Sequence, residues 1–348
     1  MTDASVKDSD PFHDPRVRHQ AAYRQWVNEN PDTMTSLEIG EQMAAFAKKC
    51  GLEFRSMDTA QLKEERMNLL LAVGQGSSRS PARCHIMSAN LKAGASPLVL
   101  IGKGITFDTG GINLKSASML INTMKNDMGG AALMVHVFQA LVESGYDQPL
   151  AVVIPSCENA IGERSFKPGA IIKSRSGKDI FIDNTDAEGR LILADAIHYA
   201  EEVLRPSQMI TAATLTTAAL RQFSNFFTPV HFASEAFKLA LTEAATVWGE
   251  GFTFWGRFLP FEAANATRCA DLSNAGHLPS DASIGAGSNI AAHFLRSFAE
   301  RPLTHIDIFN TVWNWSQDYP GAAYGATGAV FNSLFTALSQ GRGAKGSS

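Results

Sequence analysis

The sequence predicts an α/β fold in which a mixed, largely parallel central β-sheet is sandwiched between helices. Short apolar runs alternate along the chain with segments of helical period, and no internal repeat breaks the alternation. The apolar runs lack a polar face, as expected of strands covered by helices on both sides.

Taken in order, residues 36–49 place Leu37, Met43, Ala44, Phe46 and Ala47 at roughly helical spacing, with Gly51 as the stop. The run MNLLLAV, ending at Val73, reads as a buried strand. Apolar runs at 84–87 and 98–101, bounded by polar or Pro/Gly residues, read as two more. The clearest helix carries Met134, Val137, Phe138 and Leu141 at i, i+3, i+4 and i+7, with Gly145 at its C-terminus. A strand over 150–154 is then ended by Pro155. Isoleucines at 171–172 and at 180 and 182 flank a Ser-Gly-Lys turn and read as a hairpin. Residues 191–200 predict a helix, 209–215 and 305–309 strands, and Gly325 onwards the last helix. Residues 1–35 read as a lead-in segment, 36–340 as one domain and 341–348, GRGAKGSS, as a flexible tail.

The composition excludes several classes of function. Hydrophobic residues make up 45% and charged residues 18%, ordinary globular values, and the formal net charge is −4. A mildly acidic chain with no basic stripe has no electrostatic footprint for nucleic acid. The four cysteines are scattered with no CxxC pair, so neither a zinc knuckle nor a disulfide framework is indicated, and a reducing cytosol is expected. The polar, acidic start has no signal-peptide core. No apolar run reaches the ~18 residues that would span a membrane.

Two segments stand out chemically. GKGITFD, ending at Asp108, leads through Gly110, Gly111 and Lys115 to DMGGA, beginning at Asp127; the other is NTDAEGRL, from Asn184 to Leu191. Both follow predicted strands, where α/β sheets place their ligand sites. Asp108, Asp127, Asp186 and Glu188 supply four carboxylates. Brought together without counterions they would repel, and two divalent cations would balance them. Oxygen ligands suit Mg²⁺, Mn²⁺ or Zn²⁺, and a bridging carboxylate would hold two ions ~3.5–4 Å apart. The glycines among these residues allow positive φ and close backbone approach. GxxxxGK[ST], a strand–helix GxGxxG and HExxH are all absent, which argues against nucleotide binding and a single-zinc protease. His305 and the other histidines read as structural, and the tryptophans as core or interface anchors.

Together these blocks resemble the leucine aminopeptidase (cytosol aminopeptidase, peptidase B) family. ATLT at 213–216, ADLSN at 270–274, HIDI at 305–308 and GATG at 325–328 extend the resemblance from about residue 36 to the last helix. It implies a leucine-aminopeptidase-like catalytic domain that releases N-terminal residues from short peptides. Lys103, Asp108, Asp127, Asp186 and Glu188 would be ligands of two divalent cations, Mn²⁺ or Zn²⁺, with Asp108 and Glu188 touching both. A metal-bridging water would attack, Lys115 would stand beside the scissile carbonyl, and Arg190 would hold a bicarbonate-like anion that shuttles a proton. A neutral Lys103 would be needed for coordination, a large downward shift from ~10.4. The substrates implied are short peptides with a free N-terminus, the location cytoplasmic and the assembly a homo-hexamer.

The sequence departs from the family pattern in three places. It carries one residue more than usual between Lys115 and Asp127, so the loop SASMLINT is expected to bulge. Thr217 stands where the family commonly has glycine, and its side chain would crowd the substrate. The N-terminal domain usual in the family is expected to be missing. These departures frame the rival expectation, a catalytically impaired metal-binding scaffold of the same fold.

Overall fold

The structure is a computed structural model that describes residues 13–116, 120–276, 283–315 and 323–340. The helices are α1 (Pro15–Asn28), α2 (Ser36–Cys50), α3 (Thr59–Glu64), α4 (Asn68–Gly74), α5 (Gly129–Glu143), α6 (Gly189–Tyr199), α7 (Thr217–Phe223), α8 (Glu235–Trp248), α9 (Leu259–Ala263), α10 (Ser283–Arg296) and α11 (Phe331–Gln340). The main-sheet strands up to the site are β1 (Glu53–Met57), β2 (Arg83–Ala89), β3 (Leu98–Gly102), β4 (Gly104–Asp108) and β5 (Leu150–Asn159). The hairpin is β6 (Ile171–Lys173) and β7 (Asp179–Phe181). There follow β8 (Gln208–Ala213), β9 (Phe227–His231), β10 (Gly251–Trp255), β11 (Leu272–Ser273), β12 (Leu303–Asp307), β13 (Trp313–Asn314) and β14 (Gly325–Ala326).

The main sheet runs in the order β1-β2-β5-β3-β8-β12-β9-β10, with β4 also paired to β5. Its centre, from β5 through β3 and β8 to β12, is parallel, and β1 and β2 add antiparallel strands at one edge. Neighbouring residues of a strand point to opposite faces. Leu100, Val152 and Ile210 enter the core beneath α5, while Val99, Val153 and Met209 enter the core beneath α6. The predicted sandwich is therefore the observed one. Among the described residues no helix is long and apolar enough to cross a membrane.

Three expectations need correction. MNLLLAV forms helix α4, not a strand. A short apolar run carries no period that separates the two. Here the Asp195 carboxylate accepts from the amides of Leu69 and Leu70, capping a helix start. Strand β5 continues through Pro155 to Asn159. On the β2 side Pro155 stays in register with Cys84; on the other side pairing to β3 ends at Val153 and pairing to β4 resumes at Ser156, which leaves the proline in a gap. The last helix starts at Phe331, because Gly325 (φ 115°) and Gly328 (φ 77°) hold a non-helical lead into it. Within the expected lead-in, α1 packs on α5 and is capped by the Asp14 side chain. The tail 341–348 lies outside the described residues.

Candidate active site

The parallel strands deliver their C-terminal ends to one place. Lys103 sits in the one-residue step between β3 and β4. Its N–H donates to the Ala212 carbonyl at 3.0 Å and its carbonyl accepts from Ala131 N–H at 2.8 Å. The backbone is thus held from both sides while the side chain leaves the sheet. It passes over α6, where a Cβ on Gly189 would come within 2.6 Å of Lys103 Cε. A glycine opens the α6 N-terminus to the lysine for that reason. Lys103 Nζ lies 2.7 Å from Asp127 Oδ1 and 2.8 Å from Glu188 Oε1, and donates to the Thr214 carbonyl at 2.9 Å.

Asp108 ends β4. Its Oδ1 accepts from Gly110 N–H and from Asn159 Nδ2, both at 2.8 Å. The chain then turns through Gly110 (φ 87°) and Gly111 (φ 65°) and brings Lys115 back to the carboxylates. A side chain at Gly110 would collide with the Asn113 carbonyl at 2.4 Å. Lys115 Nζ pairs with Asp108 Oδ2 at 2.8 Å and with Asp186 Oδ1. Asp186 lies in the turn before α6, where Thr185 N–H donates to Asn113 Oδ1 and Asp186 N–H to Asn184 Oδ1. Asp127 is the last residue but one of the 3₁₀ turn Ile121–Met128 ahead of α5 and accepts from Thr214 Oγ1 at 2.7 Å.

Asp108, Asp186 and Glu188 each offer an oxygen within 4.8 Å of the others. Asp127 joins them through Lys103. All seven side chains singled out in the sequence line one cavity of about 400 Å³. Thr217 lines it as well. Of the loop expected to bulge, residues 117–119 lie outside the described residues, while Lys115 itself faces the cavity.

The electrostatics follow from burial and crowding. Burial alone would lower both lysines, but the facing carboxylates outweigh it: Asp127 and Glu188 hold Lys103 above its usual range, and Asp108 and Asp186 do so for Lys115. The neutral Lys103 expected from the sequence is one that an adjacent dication would drive; the carboxylates by themselves favour the ammonium. Burial, and then the Asp108 charge, pushes Asp186 up to about 7. Burial lowers Arg190 to about 10, against the pull of Glu188 and Asp307.

Sequence reasoning missed several supports. Asn159 steadies Asp108, and Asp307 accepts from Thr216 Oγ1 at 2.8 Å and from Leu215 N–H at 3.1 Å, fixing the cavity wall. Each lies at the C-terminal end of a parallel strand, a signal that needs the strand order to be read.

Residues 21–335 match the cytosol aminopeptidase family, catalytic domain. The chain belongs to this family. Among the cytosol aminopeptidases, a curated relative, "Probable cytosol aminopeptidase" of Chlamydia muridarum (strain MoPn / Nigg), is 37% identical over 313 residues. That match covers 88% of this chain, which spans 60% of the relative's length. The solved cytosol aminopeptidase from Coxiella burnetii is similar with a TM-score of 0.85 and 29% identity, covering 95% of this chain and 71% of that one. The bottromycin maturation enzyme BotP in complex with Mn gives 0.84 and 28%, covering 93% and 70%. The family and fold expected from the sequence are those found.

Proposed function

We propose that this chain is a metal-dependent aminopeptidase that releases N-terminal residues from short peptides. The observation that carries the reading is the convergence of Asp108, Asp186 and Glu188 in one cavity with Lys115 and Arg190. The donor set fits divalent ions. Three carboxylate oxygens stand together, and Glu188 Oε2 is buried with no hydrogen-bond partner. A buried, unpartnered carboxylate oxygen is costly unless a cation answers it. Lys103, Asp108, Asp127, Asp186 and Glu188 would hold two ions, Mn²⁺ or Zn²⁺, with Mg²⁺ the third choice. When bound, such ions supply Lewis acidity and activated solvent at neutral pH.

The chain's own residues do the rest. Lys115, fixed by Asp108 and Asp186, presents a preorganised ammonium where negative charge develops on the scissile carbonyl oxygen. Arg190 is buried with its Nε unpartnered, as suits a guanidinium that holds a bicarbonate-like anion and passes a proton through it. Thr217 narrows the cavity where the first residue of the peptide would lie. A hexamer in the cytoplasm completes the reading. The impaired-scaffold alternative is not favoured, since all seven side chains are retained around one cavity. The test is turnover of leucine p-nitroanilide with added Mn²⁺, set against Glu188→Ala. A folded, metal-loaded protein that cleaves no member of a panel of unblocked peptides overturns the proposal.

A further inference from the structure

Four carboxylates and four cationic side chains, Lys103, Lys115, Arg190 and Arg221, line the cavity. Their formal charges cancel, so any divalent cation added makes the cavity net positive and favours a ligand with a negative group. Lys103 and Lys115 are engaged by the carboxylate cluster, and Arg190 is buried in α6. Arg221 differs. It is exposed, and among the described residues its guanidinium has no hydrogen bond or ion pair. It stands on α7 four residues after Thr217, hence about 6 Å along the same face, and both side chains line the cavity. Met124, Leu215, Ile290 and Phe309 supply apolar wall. A planar five-donor cation at the mouth of such a cleft matches a carboxylate.

We propose that Arg221 selects peptides carrying a carboxylate close to the bond that is cut. This rests on the aminopeptidase reading and deepens it. The carboxylate comes either from an acidic first side chain or from the C-terminus of a dipeptide, both within one residue of the reacting centre.

The experiment compares ratios within each enzyme: kcat/KM for glutamyl over glutaminyl p-nitroanilide, and for Leu-Gly over Leu-Gly amide. In the native protein at least one ratio exceeds one. It falls about 3- to 10-fold in Arg221→Gln, the scale of a partly exposed charged hydrogen bond, and partly recovers in Arg221→Lys. A response of the first ratio assigns the side chain, and of the second the C-terminus. Unchanged ratios in an Arg221→Gln protein with native melting overturn the proposal. If no substrate is turned over, the aminopeptidase reading falls separately. Arg221 is then read by calorimetric titration with Gln-Gly amide, which has no carboxylate, against Glu-Gly amide and Gln-Gly, which each carry one. Tighter binding of either carboxylate-bearing peptide than of Gln-Gly amide, abolished by Arg221→Gln, supports it, and equal affinities of all three overturn it.

Discussion

Two buried acids seven residues apart, Glu188 just before α6 and Asp195 within it, sit in opposite surroundings. Asp195 stands alone. Its Oδ1 accepts from Arg175 N–H at 2.8 Å, and its Oδ2 from the amides of Leu69 and Leu70 at 2.8 and 3.2 Å. Both oxygens are satisfied by backbone donors, so the residue fastens α4 and the β6–β7 hairpin to α6. Glu188, at the helix start, is crowded by Asp108 and Asp186 and keeps Oε2 unpartnered. Satisfied and solitary fits an architectural role; crowded and unsatisfied fits the chemistry proposed for the site.

The comparison breaks most sharply at Glu188. Glu188→Ala is expected to lower kcat/KM on leucine p-nitroanilide by about 10³-fold or more, since such a site supplies several kcal/mol to the transition state. Circular dichroism should show the fold retained. An active Glu188→Ala enzyme would erase the distinction drawn between the two acids. Asp195→Ala should do the reverse, costing about 3 kcal/mol in urea unfolding by stranding three buried backbone donors. Activity per folded molecule should stay close to native.

This contrast marks how far the sequence could be read. Glu188 was legible because NTDAEGRL joins charge to glycine after a strand. Asp195 was not: nothing in LADAI says that its partners lie at residues 69, 70 and 175. The same blindness turned MNLLLAV, residues 67–73, into an expected strand, since the cap that makes the segment helical comes from α6. The central strands were legible because burial on both faces leaves them uniformly apolar. Pro155 misled because a proline is tolerated wherever neighbouring ladders leave a gap, and gaps are visible only in the sheet.

Gly189→Ala tests the passage between the two acids. The added methyl would meet the Lys103 stem at 2.6 Å. A loss of about 2 kcal/mol in stability is expected from overpacking, with metal affinity measured by calorimetry falling alongside. Unaltered affinity would show that the lysine has room to move.

The smallest effect concerns Glu143, an acid of a third kind at the protein's edge. Burial opposes its ionised form, but hydrogen bonds from Lys49 and Arg18 and the nearby His19 hold it down to about 2, against an ordinary 4.5. A depressed folded-state pKa gives stability that is present above about pH 4.5 and lost as pH falls towards 2. Glu143→Gln should flatten that acid limb by about 1 kcal/mol, given solvent screening. Melting temperatures measured across the window with equal slopes for both proteins would refute the assignment.

The step at Lys103 has a mechanical consequence. One flank of the cavity inherits the stiffness of a hydrogen-bonded ladder, because the lysine's own amide and carbonyl are part of it. The opposite flank, bearing Lys115, hangs from a turn through two left-handed glycines. The Lys103 flank is therefore fixed by backbone hydrogen bonds, and the Lys115 flank by the side-chain pairs that Lys115 makes with Asp108 and Asp186.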